Sequence, residues 1–248
     1  DLQKDTINLQ DSFKKSTMKK TITILFTIFV TFVSLAQNKD LVRANKYFER
    51  TFYVQAIPLY EKILKTEQNL NAIKNLADSY YYSNDMGKAS KNYKYLLRVY
   101  RKYVDKSYYL KYANTLKAQN KHKEANDLLK KYYKVNDLEK LASFEKDIEY
   151  LENIEALGER YSIQNLGINA PESEFGAIQQ GDKVIFSAPT KEDKFGKRFG
   201  WNGQQYLDLY EVNFDDIHLG DSITYMFSKN LNTKLHEANI VFTKDGNT

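Results

Sequence analysis

From residue 38 to 135 the apolar side chains recur at helical intervals, and alanines recur among them at a fixed distance. In "ANKYFERTFYVQAIPLY", "ADSYYYSNDMGKASKNY" and "ANTLKAQNKHKEANDLL" the pairs Ala44 and Ala56, Ala77 and Ala89, and Ala113 and Ala125 each stand twelve residues apart. A bulky residue follows the first alanine by three (Tyr47, Tyr80, Leu116), and others follow the second by four (Tyr60, Tyr93, Leu129) and by seven (Ile63, Leu96, Tyr132). Residues at such offsets share one face of a helix. The pattern predicts three helical hairpins whose arms approach closely at the alanines, where a larger side chain would force them apart. The first alanines are separated by 33 and then 36 residues, so the hairpins form a repeat. Asn84 and Asn120 fall where the arms reverse, and asparagine tolerates a left-handed backbone there. Pro58 is expected in the first turn of a second arm, where its missing N–H does no harm.

Helical spacing continues through "DLEKLASFEKDIEYLENIEALGER", with Leu138, Leu141, Phe144, Ile148, Leu151 and Ile154 apolar and acids between them. We read residues 137–160 as a capping helix with a polar outer face, closed by Gly158. From Tyr161 the period falls to two. "YSIQNLGI", "KVIFSAP", "YLDLYEVNF", "ITYMFS" and "ANIVFT" read as short strands, with "QGDK" and "KDGN" as tight turns. "ESEFGAIQQGDKVIFSA" and "LHEANIVFTKDGNT" rhyme, each offering an acid, an apolar group, a Gly-Asp or Asp-Gly turn and strand residues. The insertion "TKEDKFGKRFGWNGQQ" separates two inner strands.

A different pattern precedes the hairpins. "MKKTITILFTIFVTFVSLAQ" opens at Met18 with Lys19 and Lys20, continues as an apolar run from Thr21 to Leu35, and carries Ser34 and Ala36 at the −3 and −1 positions. These are the parts of a secretory signal peptide over 18–36, cleaved after Ala36. The run is shorter than the roughly 20 apolar residues that span a bilayer. Residues 1–17 are polar and read as an upstream disordered extension. Export, in a chain without cysteine, points to a bacterial envelope and most directly to the periplasm.

Charge and composition narrow the chemistry. The chain has 37 basic and 32 acidic side chains, a formal net charge of +5. Beyond Ala36 the balance is 32 to 29, too even to argue for nucleic acid. Without cysteine there is no disulfide, thiolate site or cysteine nucleophile. "HEANI" at 236–240 begins like a zinc-protease helix, but Ile240 stands where the second histidine must be. His122 falls in a turn between helical arms and His218 in an expected loop, Asp208 lacks a nameable serine and histidine, and Asp215 with Asp216 falls short of a calcium ligand set. The basic and aromatic stretch from Lys91 to Lys106 divides by face: Tyr93, Leu96 and Tyr100 inward, Lys91, Lys94, Arg98 and Arg101 outward. Trp201 lies beside Phe195 and Phe199 in the insertion, which reads as packing or as a partner-binding loop.

The alanine and aromatic spacings over 37–136 resemble three tetratricopeptide (TPR) repeats, with tryptophan and the closing proline of each unit absent. The "FTKDGNT" ending resembles the turn of WD40-like propeller repeats. The expected fold class is therefore α + β multidomain, a TPR-type α-solenoid followed by an incomplete all-β WD40-like propeller over 161–248. That segment is too short for the four blades of about 40 residues that a propeller needs, so the chain is expected to continue past Thr248. In TPR register the concave face includes Asn45, Phe48, Lys74, Asp78, Tyr81, Asn114 and Lys117. Asn45, Asp78 and Asn114 take one position in the three units. In TPR proteins that bind peptide ends an asparagine there bonds the ligand backbone, whereas Asp78 would repel a carboxylate. A solvated face without ligand is the other reading.

The order of signal peptide, TPR repeats and WD40-like strands resembles the N-terminal half of OmpA-family envelope proteins associated with type IX secretion and gliding machinery. That resemblance implies a non-enzymatic periplasmic scaffold associated with the outer membrane. It implies an outer-membrane partner, and contact with peptidoglycan through a C-terminal domain beyond this chain. Membrane association would be indirect, and no cofactor or metal is implied. The alternative is a propeller-bearing hydrolase or peptidase whose catalytic domain lies beyond Thr248.

Overall fold

The turn inside each helical hairpin is built by the same three backbone hydrogen bonds. Thr51, Asn84 and Asn120 have left-handed backbones (φ 60°, 69° and 59°), and their N–H groups donate to Phe48, Tyr81 and Lys117 at 2.9, 3.1 and 2.9 Å. The next residues, Phe52, Asp85 and Lys121, donate back to Tyr47, Tyr80 and Leu116 at 2.8, 2.8 and 2.9 Å. This pair of bonds satisfies the last carbonyls of a helix as it ends. Ala56, Ala89 and Ala125 then donate to Phe52, Asp85 and Lys121 at 3.1, 2.9 and 3.1 Å, which starts the second arm. The left-handed residues are separated by 33 and 36, the same intervals as the alanines.

The computed structural model describes residues 39–158, 164–190, 198–219 and 224–243. The signal-peptide segment 18–36, the extension 1–17 and the "KDGN" turn lie outside them. Seven helices come first: α1 (39–49), α2 (Tyr53–Leu64), α3 (Leu70–Tyr82), α4 (Met86–Val99), α5 (Lys106–Lys117), α6 (His122–Asn136) and α7 (Leu138–Ala156). Four strands follow, β1 (Phe175–Gln180), β2 (Lys183–Pro189), β3 (Leu207–Asn213) and β4 (Tyr225–Met226). They form one antiparallel sheet in the order β1-β2-β3-β4, so the described chain is an α + β protein.

Helix starts follow the polar residues in front of them. The side chains of Asn69, Asp85, Asp105 and Asp137 accept from the N–H groups of Ala72, Lys88, Ser107 and Lys140 at 2.8 to 3.0 Å, capping α3, α4, α5 and α7. All six repeat alanines are fully buried, as are Tyr60, Tyr93, Ile63 and Leu96. Two apolar cores result. One joins the first two hairpins, and a smaller one holds Ala113, Leu116, Ala125, Leu129 and Tyr133 with Leu141 and Phe144 of α7 packed against it.

Several expectations need correction. Pro58 is the sixth residue of α2 and not in its first turn, so the Val54 carbonyl loses its helical donor at an exposed position. The outer face of α7 is not polar: Leu138, Tyr150, Leu151, Ile154 and Leu157 are exposed, because only its N-terminal half lies against α6. Residues 164–168 form no strand, although Ile168 is buried in the sheet's core with Phe186, Ala188, Tyr210 and Val212. Residues 238–243 form none either, and β4 keeps two residues of "ITYMFS". The cause is visible on the outer edge of β3, which is satisfied piecemeal. Phe227 N–H donates to Leu209 O (3.0 Å), the Asn232 side chain brackets Leu209 (2.8 and 3.2 Å), and Glu237 N–H donates to Leu207 O (2.8 Å). With those groups taken, no continuous ladder forms beyond β4. Conversely β1, with polar Gln179 and Gln180, was not apparent from alternation. It pairs β2 through the two-residue turn Gly181–Asp182, where Gly181 has φ +62°.

Candidate binding face of the helical hairpins

The first helices of the hairpins, α1, α3 and α5, carry the seven candidate residues, and most of them bond within the protein. Asn45 Oδ1 accepts from the Tyr60 hydroxyl at 2.8 Å and from Asn75 Nδ2 at 3.5 Å, and Asn75 also donates to Tyr60 at 3.0 Å. Burial, with the Asn75 bond opposing it, pushes the Tyr60 phenol up to about 12, so it remains a donor. Phe48 meets Tyr53 and Tyr60 edge-on at 5.5 and 6.4 Å. The Lys74 ammonium donates to the Tyr103 carbonyl at 2.7 Å and lies 5.6 Å from the centre of the Tyr108 ring.

Asp78 differs most from its expected role. It is buried, accepts from the Tyr93 hydroxyl at 2.7 Å, and pairs with Lys111 at 2.9 Å. The carboxylate ties α3 to α4 and α5 and does not stand ready to meet a ligand. Burial pushes the Lys111 ammonium down, but its hydrogen bond to Asp78 and the charge of that group outweigh this and leave it above its usual value. Burial and then the adjacent Asp78 charge push Tyr93 upward. Lys111 also lies over the rings of Tyr82 and Tyr108 at 5.1 and 5.5 Å. Lys111 stands one helical turn before Asn114, but repeat register gives no sign of its role, because its partner belongs to another hairpin.

Asn114 is exposed, and its amide donates to the Tyr81 hydroxyl at 3.2 Å. Tyr81 in turn meets Tyr82 and Tyr93 edge-on at 5.4 and 6.0 Å. Asp78, Tyr81 and Asn114 are therefore one connected group spanning α3 and α5, and Asn45 forms a separate one with α2 and α3. Lys117 is set apart from both. It lines an open cleft of about 630 Å³ with His122 and Lys123 of α6 and Ile148 and Leu151 of α7.

The remaining candidate chemistry is accounted for locally. His236 Nδ1 accepts from the Leu207 N–H at 3.2 Å, which uses a ring nitrogen in holding the sheet. Among the described residues no group of three or more His, Cys, Asp or Glu side chains could hold a metal ion, and no helix is long and apolar enough to cross a membrane. Lys91, Lys94, Arg98 and Arg101 are exposed while Tyr93 and Leu96 are buried, the division by face expected for that basic stretch. Compared with known proteins, the chain matches no protein-family model and no curated protein closely enough to identify a relative.

Proposed function

We propose that the protein is a non-enzymatic scaffold whose helical part is a TPR-type solenoid and whose four-stranded meander is a blade of a WD40-like propeller. The observation that carries this reading is the threefold turn, with identical hydrogen bonds and buried alanines at intervals of 33 and 36 residues. Such regular stacking of small hairpins builds an extended side surface rather than an enclosed pocket, which suits an elongated protein segment. The open part of that surface is the third hairpin, where exposed Asn114 offers an amide beside the Tyr81 ring.

The order of segments supports an exported protein in the periplasm, tied to an outer-membrane component of a secretion or gliding complex and, through a further domain, to peptidoglycan. Asn114→Ala should weaken capture of that partner by about 1 to 2 kcal/mol, the scale of a hydrogen bond left unmade. Its melting temperature should hardly change, because the residue is exposed. Photo-crosslinking from position 114 in envelope preparations tests the assignment. Crosslinks confined to the protein's own sheet would overturn it.

A further inference from the structure

The tip of the connection between β2 and β3 reaches the helical hairpins, and the proposed binding function makes no use of it. Arg198 bridges Gln205, Phe199 N–H donates to Gln204 O, and Gly203 N–H donates to Phe199 O, both at 2.8 Å, so residues 198–205 form a closed turn. At its apex the Trp201 ring meets Tyr53 edge-on at 5.1 Å and Tyr82 at 5.9 Å, and these two tyrosines stack on each other at 5.0 Å. The backbone joins in, with Val54 N–H donating to Gly200 O at 3.3 Å. A Cβ on Gly200 would stand 2.8 Å from a ring carbon of Phe52. Gly203 has a left-handed backbone, φ +75°, beside Val54. Close approach thus requires the first glycine of "GWNG" and turn geometry the second. On the other side the turn is fastened to the sheet, where Phe199 and Tyr206 pack on the His236 ring at 4.5 and 4.6 Å.

We propose that Phe52, Tyr53, Val54 and Tyr82 form a receptor notch for an aromatic-tipped turn, and that residues 198–205 occupy it in cis as a releasable latch between sheet and helices. The contact is small: one ring, one long hydrogen bond, and a rim that stays partly open around buried Tyr53, with Trp201 37%, Phe52 40% and Val54 37% exposed. None of the three apolar cores spans the two parts. A contact of this size is weak between separate molecules but well populated within one, where the tether supplies an effective concentration on the order of millimolar. Opening it breaks up none of these cores. The notch adjoins the binding face, since Tyr82 follows Tyr81 and lies under Lys111. When closed, the latch holds the sheet beside the first two hairpins and leaves the third accessible.

Trp201 is the single tryptophan of the chain, so its fluorescence reports the latch directly. In the full chain we expect a blue-shifted emission, with acrylamide quenching severalfold below that of a synthetic peptide of residues 198–205. Gly200→Val, which collides with Phe52, and Val54→Asp, at an exposed position, should each raise quenching to the peptide's level with the far-ultraviolet helical signal unchanged. Should Gly200→Val unfold, Val54→Asp decides. The same peptide added to Trp201→Ala protein should bind saturably, and adding Tyr82→Ala should abolish that binding. Wild-type quenching equal to that of the free peptide, quenching unchanged by Val54→Asp, or no binding of the peptide to the Trp201→Ala chain would each overturn the proposal.

Discussion

At the scale of single residues, the pair Asp78 and Lys111 is where burial and charge meet most sharply. Both are largely buried, and the carboxylate has the Tyr93 hydroxyl as a second partner. Removing one member of such a pair strands the other in a poorly solvating site. Lys111→Met should cost on the order of 3 kcal/mol in urea denaturation, and adding Asp78→Leu should recover much of it. A loss indistinguishable from zero for the single change would mean that water reaches the carboxylate. Ala89, fully buried between the arms of its hairpin, sets the opposite test, because Ala89→Leu should destabilise by roughly 1 to 3 kcal/mol through overpacking. A neutral result would contradict the close approach of the arms. Alanine spacing alone located these contacts. The partners of Asp78 were hidden because a one-dimensional register says which residues share a helix face but not which neighbour that face meets.

At the scale of elements, the turns carry the repeat as clearly as the helices do. Two of the three left-handed positions are asparagines and were legible. The third is Thr51, a β-branched residue that no turn signal would single out, and it adopts φ 60° because the surrounding bonds impose it. A left-handed backbone costs such a residue roughly 1 to 2 kcal/mol relative to glycine, so Thr51→Gly should stabilise the hairpin by about 1 kcal/mol, after the loss of unfolded-state rigidity. A lower melting temperature would show that the threonine side chain contributes more than its backbone costs. Strands were less legible than helices, since β1 does not alternate and ends in polar Gln179 and Gln180, and the edge of β3 is satisfied by scattered groups from 227–237. His236 is one of these. Burial lowers its pKa below the ordinary 6.5, with Glu237 partly opposing. The folded sheet then binds fewer protons than the unfolded chain, so this contribution to stability is present above 6.5 and is lost as pH falls through the lower folded value. Titration of the ring protons by nuclear magnetic resonance should give a midpoint below 6.5, and one at or above it would contradict the acceptor role of Nδ1.

At the scale of the whole molecule, the change from helices to a sheet after residue 160 was legible because the apolar period changes there, but the contact between the two parts was not. In sequence Trp201 is compatible with packing or with a partner-binding loop, and its place against Tyr53 and Tyr82 depends on a fold that brings residues far apart in sequence together. The helices themselves pack along the chain, each on its neighbours, so stability should vary with position instead of being shared uniformly. The first two hairpins share an apolar core of thirteen buried residues that includes Tyr60, Tyr80 and Tyr93, whereas the apolar core of the third hairpin has five and α7 adds none of its own. Beyond Phe144, α7 also leaves α6 and borders an open cleft. Hydrogen exchange on the full chain should therefore show a gradient, with α3 and α4 protected to the level of global unfolding and α6 and α7 opening at lower free energy. Lys111→Met should steepen that gradient by loosening α5 from α3, leaving exchange in α2 nearly unchanged. Equal protection from α2 to α7 would mean that the helices unfold as one unit, and the reading of a neighbour-to-neighbour stack would fall with it.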